Sequence, residues 1–306
     1  MSHRSLVLCL FLFVIARHAS ASMSSANFQI GWDDVNGGGN DYGTSTNFQI
    51  QDTVGDQGAG RGTSINYKLS SGYRFSDNMA VLSLIFRGQD DTTQTEYTSF
   101  NDAGKSVTVI SSAPFSVTDH IAVVENQGFS QKVAVGKIVS IVGQVLTVDE
   151  WDGNNPTINP VPDANGDFVY ALTNSKAAFG NIMTGYENTV VAVTSVQSTG
   201  LLGYTVYRQA NQALQDGGGV HEMGEVMDGA VSLGSEEYGV MGIGTFAING
   251  GVDLAVSTTQ IPIQESLAPS GGFPDRIAQV YKLSVTNATE TGVYGHTVMY
   301  TLTANY

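Results

Sequence analysis

Oxygen-bearing side chains at alternate positions are the first chemistry the sequence offers. In the stretch PDANGDF, Asp163, Asn165 and Asp167 recur at every second residue, and Gly166 permits a bend. Three oxygens turned inward at that spacing suit a hard cation, so calcium is the candidate cofactor. The bidentate acid that closes an EF-hand loop at its twelfth position is missing, because Asn174 stands there. A plain turn held by Asn and Asp side chains is the competing reading. Trp32 and Trp151 lie beside acidic turns, in GWDDVN and DEWDGN. An exposed indole there would stack on a sugar ring, and a buried one would cap a small core. Carbohydrate is therefore the candidate ligand at these two residues.

Catalytic patterns are thinner. Nucleophilic hydrolysis needs a nucleophile, a base and an orienting acid, and the sequence holds no G-x-S-x-G elbow. His120 and His296 fall in stretches that read as strands, where a packed polar role is the commoner one. His221 opens HEMGE, but Glu225 occupies the position where a zincin needs its second histidine. Asp33-Asp34, Asp90-Asp91 and Glu236-Glu237 are adjacent acids. Neighbours on a strand face opposite ways, and glycoside hydrolysis needs carboxyl groups roughly 5–9 Å apart across a cleft. The reading is therefore not an enzyme, with a glycosidase as a remote alternative.

The elements that would carry these residues are β-strands. Apolar runs are short, rich in Val, Ile, Tyr and Thr, and separated by Gly, Asn and Asp. A phrase S-x-N-[FY]-[QK]-[IL] begins at Ser25, Ser45 and Ser64. Its ring and aliphatic residue share one strand face, which a single unit cannot bury alone. Residues 22–78 form this repeat segment. Residues 79–172 read as a small barrel-like β module, entered through a polar connection, GQDDTTQTEYTSFNDAGK. Residues 173–306 read as a C-terminal β-sandwich. There NTVVAVTSVQSTGLLGYTVYRQ carries a hairpin signal, and DGGGVHEMGEVMDGAVSLGSEEYG reads as a rim loop. In the last strand Val298, Tyr300, Leu302, Ala304 and Tyr306 share one face. Apolar residues at alternate positions before a terminal Tyr306 also fit an outer-membrane barrel strand, but IVSIVGQVLTV is apolar on both faces and argues against it.

Residues 1–21 have the form of a signal peptide: Arg4, an apolar run, and Ala19-Ser20-Ala21. Cleavage after Ala21 removes the only cysteine, Cys9, so stability is expected from ordinary cores rather than disulfides. It also removes Arg4 and Arg17, taking the formal charge from −15 to −17. Such a surface repels phosphate backbones, which excludes nucleic acid as a partner. No later apolar run has the ~20 residues of a membrane helix.

Several phrases resemble known sequences. STNFQIQDTVGDQGAGRGTSINYKLSSGYRF resembles a repeat near the N-terminus of exported bacterial proteins of no assigned activity. VTVISSAPFSVTDHIAVVENQ, GKIVSIVGQVLTVDEW and NGDFVYAL together are similar to a small β module of bacterial and phage surface proteins. In that module glycine usually precedes the aspartate; here Thr118 precedes Asp119. GYTVYRQ, EEYGV and GVYGHTVMYTLTANY look like a terminal β-domain of similar proteins. The resemblance implies an exported bacterial setting and an all-β architecture, and it transfers no catalytic residue. The expected function is a secreted or cell-surface structural or adhesive protein. Its expected partners are itself, other surface components or carbohydrate.

Overall fold

In a computed structural model, the described residues are 81–128, 131–154 and 166–305, with six short strands nearer the N-terminus. The chain divides into two compact units, Met1–Met79 and Ala80–Tyr306. In the first, β1 (Ser24–Ser25) pairs with β2 (Phe28–Gln29), β3 (Gly43–Thr44) with β4 (Gln49–Ile50), and β5 (Gly60–Thr63) with β6 (Lys68–Ser71). All three pairs are antiparallel and share one register. The residue before each phrase faces its fifth residue, as in Ser24↔Gln29, Thr44↔Gln49 and Thr63↔Lys68. The later residues of the repeated phrase, Phe28–Gln29, Gln49–Ile50 and Lys68–Leu69, thus lie on the second strand of a repeated antiparallel pair.

The second unit is all-β, with no helix among the described residues. Its first strands are β7 (Leu82–Asn101), β8 (Ser106–Val109), β9 (His120–Glu125), β10 (Lys132–Val142), β11 (Val145–Val148), β12 (Asp152–Gly153) and β13 (Phe168–Asn174). Six of these form a circuit of antiparallel pairings: β7 to β8, β11, β10, β9, β13 and back to β7. Alternation along the strands sorts the apolar residues. Ile121 and Val123 of β9 point into the ring with Tyr97, Phe100, Ile138, Leu146 and Val169. Ala122 and Val124 point outward, with Val133, Val135 and Leu172.

The remaining strands are β14 (Asn188–Ser198), β15 (Tyr204–Ala210), β16 (Gln215–Asp216), β17 (Glu237–Ile243), β18 (Asp253–Leu254), β19 (Ile261–Ser266), β20 (Asp275–Ser284), β21 (Tyr294–Gly295) and β22 (Val298–Ala304). Strand β7 continues the sheet into β14, then β20, β17 and β18. A second sheet, β19-β15-β22, lies over this extension. Val191 and Val193 of β14 pack with Ala278 and Val280 of β20 against the outer face of the ring. Val190, Ala192, Val196, Ile277 and Tyr281 face the other way, into the sandwich core. The β14–β20 ladder is therefore covered on both faces.

Three sequence expectations change. The supposed polar connection is the body of β7. Its buried residues Thr93, Tyr97 and Phe100 are unevenly spaced, because of an irregularity between Tyr97 and Ser99 and a bulge between Asp90 and Thr95, so the alternation is broken and hard to recognise. Within that bulge the Thr93 hydroxyl accepts from the Ala171 N–H at 2.8 Å, replacing a lost ladder contact. The Ser-Thr-Gly turn joins β14 and β15, but they do not pair: β14 bonds to β7 and β20, and β15 to β19 and β22. The turn crosses between sheets, as apolar surface on both faces of β14 demands. His296 lies between β21 and β22 rather than inside a strand.

Two backbone positions fix the geometry. At Gly88, β7 leaves β14 and meets β13, pairing with Ala192 and Asn174. A Cβ there would lie 2.0 Å from the Lys176 carbonyl oxygen, so only glycine fits. Thr118, in the loop before β9, has φ 85°. Its N–H donates to the Ile138 carbonyl at 2.9 Å, which ties the loop to β10. A β-branched residue in this region costs about 1–2 kcal/mol. Thr118→Gly should therefore raise stability in urea unfolding by about 1 kcal/mol, part of the relief being lost to the freer unfolded chain. An unchanged or lowered midpoint would mean that the threonine side chain holds the turn.

Candidate functional site

Of the residues with ligand chemistry, Trp32, Asp163 and Asn165 lie outside the described residues. Trp151 is 8% exposed and its ring lies 5.0 Å from that of Phe100, at the edge of the ring core. Asp167 is buried, and its Oδ1 accepts from the Asn126 N–H at 2.9 Å. That bond pins the turn after β9, where Asn126 has φ 55°. Among the described residues, no three His, Cys, Asp or Glu side chains converge on one point.

The adjacent acids separate as strand neighbours do. Asp90 accepts from Thr92, whereas Asp91 accepts from the Gln89 amide at 2.7 Å. Glu236 accepts from the Thr289 hydroxyl at 2.7 Å and lies 2.6 Å from His221 Nε2. Glu237 instead accepts from the Ser232 N–H at 2.8 Å. His221 also meets the Tyr294 ring edge-on at 5.9 Å. The rim loop is thereby tied across to residues 289–294. Met223, Val226 and Val231 of the same loop are buried beneath it.

The densest electrostatics occurs where the ring meets the sandwich. Arg276 of β20 is fully buried. Its guanidinium donates to Asp149, to Asp152 Oδ2 at 3.3 Å and to the Glu150 carbonyl at 3.2 Å. Sequence reading missed this group; a lone arginine in the apolar strand DRIAQVYKLS was the available signal. Burial pushes the Asp152 carboxyl up to about 6, against the opposing pull of Arg276. His120 is pushed down to about 4, first by burial and then by the positive charge of Arg276.

The two shifts have opposite signs in linkage. Asp152 has a raised folded pKa, so its contribution is present below 3.8 and is lost as pH rises through about 6. Removing Arg276 leaves buried carboxylates without their cation, a loss of about 3–5 kcal/mol. Arg276→Met should show that loss at pH 7.5 and a smaller one at pH 5, where Asp152 is protonated; urea midpoints at the two pH values check it. His120 has a lowered folded pKa, so its contribution is present above 6.5 and is lost as pH falls through about 4. His120→Gln should reduce the stability lost over that window by about 3 kcal/mol. A parallel pH profile for variant and parent would contradict this.

A different kind of site lies on one flank of the sandwich, where each sheet ends in an open strand. In the β15–β22 ladder, Asn305 N–H donates to Gly203 O and Asn211 N–H to Thr297 O. Odd residues of β22 therefore bond to β15, and the backbone groups of Val298, Tyr300, Leu302 and Ala304 point outward. Among the described residues, β22 pairs only with β15. Below it, β7 before Gly88 pairs only with β14. There the Arg87 guanidinium donates to the outward Phe86 carbonyl at 2.9 Å. No charged side chain lies within β22. Leu82, Leu84, Tyr300 and Leu302, which line this flank, are only partly buried.

The strand that carries this edge is firmly held. Tyr300 stacks on Phe86 with centroids 5.0 Å apart. Its hydroxyl bonds to that of Tyr281 and donates to Gln279 Oε1 at 3.0 Å. The comparisons with known proteins add no relative to this picture: no family model, no curated protein and no solved structure matches the chain.

Proposed function

We propose that the chain is an exported structural or adhesive component of a cell surface, which works by assembling with copies of itself or with other surface components. The observation that carries this reading is the edge of β22, uncharged and unpaired among the described residues and held firmly beside a half-covered core. Free edges of soluble β proteins are ordinarily blunted by charge, proline or a covering segment, because unpaired backbone groups recruit further strands. Here β7 carries Arg87 on its free side, and β19 is covered by residues 246–248 through bonds such as Ile248 N–H to Ile263 O at 2.9 Å. The signal-like residues 1–21 and the acidic, cysteine-free remainder support an extracellular setting.

Immunogold electron microscopy of the native cell surface, with light scattering of the purified chain across pH and calcium concentration, tests the reading. The expected result is surface label together with concentration-dependent association. Absence of label from the surface, or a chain that stays monomeric in every condition, would overturn it.

A further inference from the structure

We propose that the occupant of the β22 edge is β22 of a second copy, running antiparallel and centred on Thr301. This rests on the self-assembly reading and names the contact. The outward backbone groups belong to residues 298, 300, 302 and 304, which are spaced symmetrically about position 301. An antiparallel copy can therefore place Val298 opposite Ala304, and Tyr300 opposite Leu302, with each pair exchanging two hydrogen bonds. All four outward residues are then paired at once, giving about eight new backbone bonds. A register centred on residue 300 or 302 would leave one terminal residue of the four without a partner.

The side chains agree with this register. Residues that face each other in an antiparallel pair lie on the same side of the sheet. Apolar Val298, Tyr300 and Leu302 then continue the apolar face of one sheet into the next, beside the partly buried Leu82 and Leu84. On the other face, Thr301 meets Thr301 and Met299 meets Thr303, pairs without charge. This matters in a chain of formal charge −15, where most seams between copies would oppose carboxylates. From residue 291 to the end of the chain there is no Asp, Glu, Lys, Arg or Pro. The two copies meet along an edge that carries neither a like charge nor a proline to block them. The strand needs little ordering on association, because the Phe86 stack and the Tyr281 and Gln279 bonds already fix it. The contact is isologous and closes after two copies.

The register is tested by cysteine pairing in a Cys9→Ser background of the full chain. Facing residues in the non-hydrogen-bonded pair have Cα atoms about 4.5 Å apart, within disulfide reach. Under mild oxidation Thr301→Cys should give a covalent dimer. Met299→Cys and Thr303→Cys should each stay uncrosslinked alone and crosslink when mixed. Thr301→Lys opposes two like charges on the exposed face and should weaken dimerisation roughly fivefold without moving the melting temperature of the monomer. Mixing Thr301→Lys with Thr301→Glu should restore it. An unmodified chain that associates while all these variants behave like the parent, with no crosslink, would overturn the β22 contact and leave the assembly reading standing. A monomeric chain would overturn both. A β22 dimer in solution from a protein absent from the cell surface would uphold the contact and overturn the surface role.

Discussion

Covering both faces of β14 and β20 leaves no place along them for an unpaired charge, and this constraint shapes the rest of the second unit. Water cannot reach a side chain between the ring and the sandwich, so a charge there must find its partners within the protein. Arg276 does so with Asp149 and Asp152, both from the segment that follows β11. One interaction thus clamps the ring to the sandwich through residues more than a hundred positions apart. It also sets the electrostatics of its surroundings. The same burial that raises Asp152 depresses His120, so the seam responds to acid in two opposing ways. Around it, aliphatic packing supplies most of the adhesion, at about 1.5–3 kcal/mol for each fully buried Val, Leu or Ile.

How β7 serves both halves follows from the same constraint. A strand of 20 residues cannot stay in one flat sheet and also close a ring. Gly88 lets the Lys176 carbonyl approach where the strand changes partners, and the bulge between Asp90 and Thr95 adds the bend. Polar side chains in that stretch are part of the bend: the Asp90 carboxylate accepts from the Thr92 N–H and hydroxyl, and the Thr93 hydroxyl donates to the Asp90 carbonyl. Their presence is what makes the strand look like a connecting loop in one dimension.

Much of the local structure was legible in the sequence for simple reasons. The all-β class follows from short β-branched runs, and the face assignment of β22 from strict alternation. The repeated phrase pointed to repeated units, and the hairpin register common to all three gives that repetition a backbone form. Pairing partners were less legible. A strand buried on both faces has no alternation to tell which sheet its neighbour joins, so β14 and β15 read as a hairpin although a sheet boundary lies between them. Arg276 was hidden for a related reason: its significance depends on carboxylates brought near only by the closed fold. Trp151 could have been a sugar platform or a core cap on sequence alone, and its position against Phe100 is decided by where β12 lies beside β10.

The edges of the sheets show how unevenly this architecture treats its free backbone. The ring removes most edges by closing on itself, and β19 is covered by residues 246–248. The free half of β7 is guarded by Arg87. Each device costs the chain some composition or geometry, yet β22 carries none of them. Its inner side is nevertheless specified in detail, through the tyrosine pair, Gln279 and the Phe86 stack. A strand that merely frayed would not be anchored so closely, and one meant to stay solitary would ordinarily carry a charge. The strong negative charge of the rest of the chain is consistent with this division. Repulsion discourages casual contact between copies over most of the surface, and a neutral, prealigned edge then concentrates association at one place.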